Sequence, residues 1–201
     1  MLAHAAAANP SVSTDRGCYL DGQGVQLTGS GFHPGRLYDV TVDSVDFGQG
    51  TTTAGGELSF LLFLGSLSSR VVQSIDRLLV SDASSTASST FTVTRGAGAR
   101  LLNPAGKPRT LRTAIEVWGF AQDGVSKPVF LHYVAPSGTP RTTVMLGYTR
   151  GQCGRLVTRS LRLFPFVTAA GTWTLQIDTN AVYARRTTGP SARIRVRIPR
   201  R

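Results

Sequence analysis

The sequence predicts an all-β protein made of two tandem antiparallel β-sandwich domains. Three observations lead there. First, an alternating stretch, Val25-Gln26-Leu27-Thr28-Gly29-Ser30, runs into Gly31-Phe32-His33-Pro34-Gly35, and a second alternating stretch, Tyr38-Asp39-Val40-Thr41-Val42-Asp43, begins just after. Gly and Pro interrupt the chain between β-branched residues that alternate with polar ones, the pattern of a hairpin or corner. Second, short strand-like segments recur with turn signals about every 8–12 residues along the whole chain. Third, no stretch has the 3.6-residue apolar period of an amphipathic helix; short helical turns are expected only near 66–76.

Residues 1–16 read as a flexible tail or the remnant of a signal peptide, with Ala-x-Ala spacing before Asn9 but neither a basic start nor a long apolar stretch. The first domain, 17–95, has expected strands at 25–30, 37–43, 58–64, 71–81 and 89–95. The alternation of Val40 and Val42 with Thr41 and Asp43 gives one buried face and one wet face. Residues 48–57 read as a strand edge and a tight turn. Leu58-Ser59-Phe60-Leu61-Leu62-Phe63-Leu64 is nearly continuously apolar, as a central strand covered on both faces would be. Residues 96–100, rich in Gly and Ala, are the expected linker. The second domain, 101–201, has expected strands at 113–121, 129–135, 142–148, around 156–166, 173–178 and 193–198. Trp118, Phe120, Phe130, Tyr133, Phe164, Phe166 and Trp173 supply its aromatic bulk, which in strands usually means core. The two halves are not evident sequence repeats.

With 201 residues, 41% of them hydrophobic and 16% charged, the chain has enough apolar material for packed cores. The net charge of +11 is divided unevenly: residues 1–95 hold 5 basic and 8 acidic side chains, residues 96–201 hold 17 and 3. Such asymmetry suggests an acidic partner for the second half: nucleic acid, an anionic glycan, a teichoic-type polymer or a membrane surface. Only Lys107 and Lys127 are lysines, and GC-rich coding also raises Arg over Lys without any functional cause. No run of 18 apolar residues exists, so no transmembrane helix is expected. Cys18 and Cys153 are the two cysteines. In an exported protein they are compatible with one disulfide, which would stabilise by roughly 4–5 kcal/mol in the chain-entropy model. Two buried thiols, or a metal pair, are the alternatives.

Residues 25–35 and 38–43, Gly50 to Phe60 with its Gly-x-x-x-x-x-Gly-x-x-x-Phe spacing, and the closing Phe91-Thr92-Val93-Thr94 resemble the immunoglobulin-like modules that occur in tandem on exported bacterial proteins. The second half is looser. Pro128 to Val134, Gly151-Gln152-Cys153-Gly154 and Leu163-Phe164-Pro165-Phe166 look like segments of exported actinobacterial proteins that pair such a module with an Arg-rich β domain. The resemblance implies immunoglobulin-like architecture and a secreted or cell-surface location; it carries over no catalytic residue.

Nothing in the residues themselves argues for catalysis. A serine hydrolase would need Gly-x-Ser-x-Gly on a strand-to-helix turn; Gly29-Ser30-Gly31 lacks that spacing. His4, His33 and His132 are scattered, with no zinc-ligand pattern, and His132 reads as a strand residue with a satisfied hydrogen bond. Asp39, Asp43 and Asp46 read as a solvated strand face, with Asp39 and Asp43 of one parity, and Asp21-Gly22-Gln23-Gly24 as a turn. No metal or cofactor is expected.

The strongest functional candidate is the last strand. Arg193, Arg195 and Arg197 alternate with Ile194, Val196 and Ile198, so period 2 puts three guanidiniums on one face. Arg185 and Arg186 lie shortly before, and Arg200 and Arg201 extend the charge. Guanidinium forks suit phosphate, sulfate and carboxylate, while Arg on an exposed strand also blocks edge-to-edge pairing. The expected function is a non-enzymatic structural, adhesive or binding module of the cell envelope. Its expected partner is an anionic polymer or glycan, or another envelope protein. The alternative is a carbohydrate-binding module with Tyr148 or Tyr183 as the stacking platform. Nucleic acid is not the expected partner: no nucleic-acid motif is present, and the aromatics read as buried rather than as stacking surfaces.

Overall fold

The computed structural model describes residues 9–200; residues 1–8 of the expected tail or signal-peptide remnant, His4 among them, and Arg201 lie outside the described residues. Among these, every regular element is a strand. They are β1 (Ser11–Thr14), β2 (Cys18–Leu20), β3 (Gly24–Ser30), β4 (Leu37–Val42), β5 (Val45–Thr51), β6 (Leu58–Phe63), β7 (Gln73–Ser81) and β8 (Thr86–Thr94), followed by β9 (Gly98–Ala105), β10 (Arg112–Trp118), β11 (Pro128–Val134), β12 (Pro140–Tyr148), β13 (Leu156–Val157), β14 (Leu161–Arg162), β15 (Gly171–Asp178) and β16 (Ser191–Ile198). Near 66–76 no helix forms; the chain makes one turn there, closed by the Val71 N–H donating to the Ser68 carbonyl at 2.9 Å. The chain divides into two compact units, one up to Val93 and one from Thr94 on.

In the first unit one sheet has the order β1-β3-β6 and the other β2-β8-β7-β4-β5. Consecutive β3 and β4 thus lie in different sheets, as do β5 and β6, and β6 and β7. That is the cross-over pattern of an immunoglobulin-type sandwich, written in the strand order. The alternation read from sequence makes the core: Val25 and Leu27 from β3 meet Tyr38, Val40 and Val42 from β4, with Leu78, Val80, Phe91 and Tyr19 around them.

The Gly-Phe-x-Pro-Gly phrase is accordingly a corner between sheets and not a hairpin. Phe32 is buried and plugs the core at this corner. Its N–H donates to the Gly56 carbonyl at 3.2 Å, and the Thr52 hydroxyl donates to the His33 carbonyl at 2.6 Å. Gly56 has φ +74° and faces the Phe32 carbonyl so closely that an added Cβ would stand 2.1 Å from that oxygen. Gly56→Ala is therefore expected to destabilise this unit by about 2–4 kcal/mol, from the left-handed backbone and the displaced carbonyl together. Urea denaturation checks it; a change below about 0.5 kcal/mol would mean that the corner relaxes freely.

Several expectations are corrected. The tail predicted over 1–16 contains a strand, β1, paired with β3 from Ser11↔Ser30 to Thr14↔Leu27. Val12 is its only large apolar residue, too little for a periodic signal. The segment predicted as a central strand, β6, is an edge strand paired only with β3. Leu58 and Leu62 point inward, while Leu61 and Phe63 are 52% and 66% exposed. Asp43 does not share a strand face with Asp39: Asp43 and Ser44, both at positive φ (48° and 69°), form the two-residue turn between β4 and β5.

The second unit follows the same strand order with different side chains, without a counterpart of β2 and with two short strands in the place of β6. One sheet has β10 at its centre, with β9 on one side and β13 and β14 on the other; the other sheet is β12-β11-β15-β16. The expected strand around 156–166 is broken into β13 and β14, both paired with β10. Between them Thr158 exchanges hydrogen bonds with Ile115, its N–H donating at 3.0 Å and its Oγ1 accepting at 2.9 Å. Of the linker expected at 96–100, residues 98–100 belong to β9. Gly98 has the composition of a linker but is a packing residue: an added Cβ would lie 2.3 Å from the Trp118 ring. The core is formed by Ile115, Val117, Leu131, Tyr133, Phe164, Trp173, Leu175 and Ile177. Trp118 and Phe130, expected inside, are only partly buried and stand on outer faces.

Candidate anion-binding cleft

The alternation of β16 puts Val196 and Ile198 into the core and leaves Arg193, Arg195 and Arg197 exposed. On the neighbouring strand β15, Trp173, Leu175 and Ile177 point inward, so Thr172, Thr174, Gln176 and Asp178 face outward. The register pairs Thr172 with Arg197, Thr174 with Arg195 and Gln176 with Arg193. An outward-facing row this polar would ordinarily be wet. Here Gln176 and Asp178 are buried, because residues 179–190 fold back across the sheet.

Side-chain hydrogen bonds hold that loop down. Gln176 Nε2 donates to the Ala184 carbonyl at 2.8 Å, and Arg193 Nη2 donates to the Arg185 carbonyl. The Tyr183 ring meets the His132 ring edge-on at a centroid distance of 5.7 Å. The loop and the sheet enclose a cleft of about 360 Å³ lined by Tyr183, Arg185, Arg193, Arg195, Thr174 and Ser137, together with Val134, Gly138 and Gln176. Among the described residues no carboxylate lines it. Of the five arginines singled out in the sequence, three meet at this cleft; Arg186 and Arg197 are exposed outside it.

Beneath the cleft runs a buried chain of hydrogen bonds. Asp178 Oδ1 accepts from His132 Nε2 at 3.1 Å and from the Asn180 N–H at 2.9 Å, and Oδ2 accepts from Gln176 Nε2 at 2.9 Å. Gln176 Oε1 then accepts from Arg193 Nε and Nη2 at 3.1 and 3.0 Å. With the His132 proton on Nε2, its Nδ1 accepts from Thr143 Oγ1 at 2.8 Å. His132 and Asp178 are 0% and 1% exposed, so this hydroxyl–imidazole–carboxylate series fixes the Arg193 fork from below. His132 matches its reading as a satisfied strand residue. Thr143, Gln176 and Asp178 were not legible as a group. The one available hint was Asp178, an acid ending an alternating strand in a basic half.

Other charged groups are differently employed. On the opposite sheet Glu116, 0% exposed, accepts from Arg100 Nε at 2.6 Å and from Arg155 Nε at 2.9 Å. Burial pushes its carboxyl up, but the hydrogen bonds and charges of Arg155 and Arg100 outweigh burial and hold it below the ordinary 4.5. A depressed folded-state pKa contributes stability above the unfolded value that is lost as pH falls through the folded one. The thermal midpoint should therefore fall as pH drops below about 4.5, and Glu116→Gln should be less stable than the parent at pH 7, the gap narrowing as the pH falls further. A gap that stays constant with pH, by calorimetry, would contradict this. Asp82 behaves alike in the first unit: burial raises it, and the backbone N–H groups of Ser84 and His33 more than compensate, so it is held well below the carboxylate range. There both Ser84 Oγ and Asp82 Oδ2 contact the same His33 nitrogen, Nδ1, at 3.1 and 3.2 Å, which rules out a relay through the ring.

A second basic depression of about 580 Å³ includes Lys107, Arg109, Arg162, Arg200 and Phe166. Its Arg109 is committed to the Thr168 and Pro199 carbonyls at 2.7 and 3.2 Å. Cys18 is buried in β2, and Cys153 is buried in the turn over 151–154. Tyr148, one of the two candidate sugar platforms, is exposed on β12 and does not line the cleft; Tyr183 does. Among the described residues no group of three or more His, Cys, Asp or Glu is placed to hold a metal ion, and no helix is long and apolar enough to cross a membrane.

No protein-family model matches the chain, and no curated protein matches it in sequence. Among solved structures it is similar to red sea bream transglutaminase, with 10% identity and a TM-score of 0.33 over 98% of this chain and 32% of that one. It is also similar to a tetra-tandem repeat in the extending region of a large adhesion protein, with 14% identity and a TM-score of 0.31 over 94% of this chain and 49% of that one. The chain thus spans about a third of the first and half of the second. The strand order, and not these likenesses, carries the architecture.

Proposed function

We propose that this protein is a non-enzymatic structural or adhesive module that contacts anionic polymers through the arginine cleft of its second unit. The observation that carries the reading is the meeting of Arg185, Arg193 and Arg195 in one cleft without a carboxylate, with Arg193 held by two hydrogen bonds to Gln176. Among the described residues neither Arg185 nor Arg195 has an ion-pair partner, so both forks remain available to a ligand. Titration with heparin and with polyphosphate over a range of salt concentrations tests it. The double variant Arg185→Gln/Arg195→Gln should bind at least tenfold more weakly, and its salt slope should fall by about 2. Arg77→Gln, in the first unit, should bind as the parent does. Equal binding by the double variant would overturn the reading.

An exported, cell-surface setting belongs to the same proposal, and with it a Cys18–Cys153 disulfide; the burial of both side chains supports it. Intact mass under non-reducing alkylation decides: no label taken up supports the bond, and two labelled thiols remove both the bond and the argument for export drawn from it.

A further inference from the structure

The arginine cleft has features that charge alone does not require. It is small, it includes an aromatic ring, and it is lined by hydroxyls. From these we infer that its ligand is an acidic sugar residue, a saccharide unit carrying a carboxylate or a sulfate; the inference rests on the anion-binding reading above.

The volume of about 360 Å³ is at the lower end for small-ligand clefts, which run from about 300 to 1,000 Å³. It suits one ring with its substituents and not a stretch of polymer backbone. Tyr183 is half-buried, its ring braced edge-on by His132 at 5.7 Å, and it lines the cleft beside Arg185 and Arg193. An aromatic wall offers dispersion and a negative π face to the C–H face of a pyranose. A polyphosphate chain has no apolar face to set against it. Thr174 adds a hydroxyl that can donate and accept, as sugar hydroxyls need, and Ser137, whose own proton goes to Thr139 Oγ1 at 3.1 Å, adds an acceptor. The guanidiniums of Arg185 and Arg195 supply the planar fork that a carboxylate or sulfate takes in two parallel hydrogen bonds.

The wall is also built before any ligand arrives. Arg193 is fixed by Gln176 and by the Arg185 carbonyl, and Gln176 by Asp178 and the Ala184 carbonyl. Little side-chain entropy remains to be lost there on binding. Single-strand nucleic-acid sites, by contrast, present successive aromatic platforms along a groove; here one ring serves one small cleft.

Calorimetric titration of the full chain with matched oligomers tests the inference. The probes are oligogalacturonate, a heparin-derived oligosaccharide, maltohexaose, polyphosphate and oligo(dT). Binding of at least one of the two acidic saccharides should be tenfold or more tighter than that of maltohexaose, and which one it is identifies carboxylate or sulfate as the anchor. Tyr183→Leu should weaken that saccharide roughly tenfold while leaving polyphosphate binding unchanged, and Tyr183→Phe should restore it. Retained polyphosphate binding also shows that the Tyr183→Leu variant is folded; if polyphosphate binding is lost too, Tyr183→Phe alone decides, and its failure to bind the saccharide as the parent does overturns the inference. If polyphosphate or oligo(dT) binds as tightly as both acidic saccharides, or if Tyr183→Leu binds the saccharide like the parent, the sugar assignment fails while anion binding stands. If none of the four anions binds, anion binding fails with it.

Discussion

Replacing Trp173 by alanine is expected to cost the second unit about 3–5 kcal/mol. The indole is buried in an aromatic cluster, 5.6 Å from the Phe164 ring and 5.4 Å from the Phe166 ring, and its N–H donates to the Ala169 carbonyl at 3.0 Å. Alanine leaves a cavity that strands cannot collapse into, and it leaves that carbonyl without its donor. Trp173→Phe keeps a ring and loses the donor, so its cost should be about 1–3 kcal/mol. Denaturant unfolding followed by far-ultraviolet circular dichroism measures both. A Trp173→Ala midpoint close to the parent's would show that the cluster repacks.

Asp178→Ala is expected to be comparably severe, about 3–5 kcal/mol, and to abolish tight polyanion binding as well. Removing the carboxylate strips the acceptor from His132 Nε2, Gln176 Nε2 and the Asn180 N–H at once. Gln176 then no longer presents its carbonyl rigidly to Arg193, and the loop over 179–190 loses one of its anchors. Asp178→Asn keeps the shape but sets an amide N–H against one of the two side-chain donors, so about half the destabilisation should remain. The two readouts separate the roles. Under conditions where Asp178→Asn is fully folded, weakened binding to heparin assigns the network to positioning of the cleft. Binding equal to the parent's would confine it to stability.

The strands were legible where one face is wet and the other dry. Val25 and Leu27, then Tyr38, Val40 and Val42, and then Ile194, Val196 and Ile198 alternate with polar residues, and each set turns toward a core. Legibility failed where alternation carried no contrast. β1 has serine and threonine on most positions, β9 begins with glycine and alanine, and β6 is apolar on both faces although only one is covered. Edge position explains these cases: an edge strand is defined by the partner it lacks, which its own composition does not record.

The cleft was half legible. Period 2 alone places Arg193 and Arg195 on one face, and Arg185 stands out by its charge. Tyr183 stands out as a sugar platform two residues before Arg185, with nothing local to join either to the last strand. The loop over 179–190 has no regular structure, and nothing in its residues says that it folds back over β15 instead of away into solvent. His132 and Asp178 are 46 positions apart, and with Thr143 and Gln176 they occupy three strands whose neighbourhood follows from sheet order.

By itself, then, the chain determined an antiparallel all-β architecture, the inward and outward faces of its alternating strands, and a second half with a large excess of cations. These are local properties, set by the two-residue period of a strand and by side-chain charge. Tertiary structure alone decided which strands stand at edges, that both units share one strand order, and that a buried carboxylate is set beneath a fork of guanidinium. Those depend on hydrogen bonds and burial between residues far apart in the chain, where the free energy of desolvation selects partners that no local pattern names.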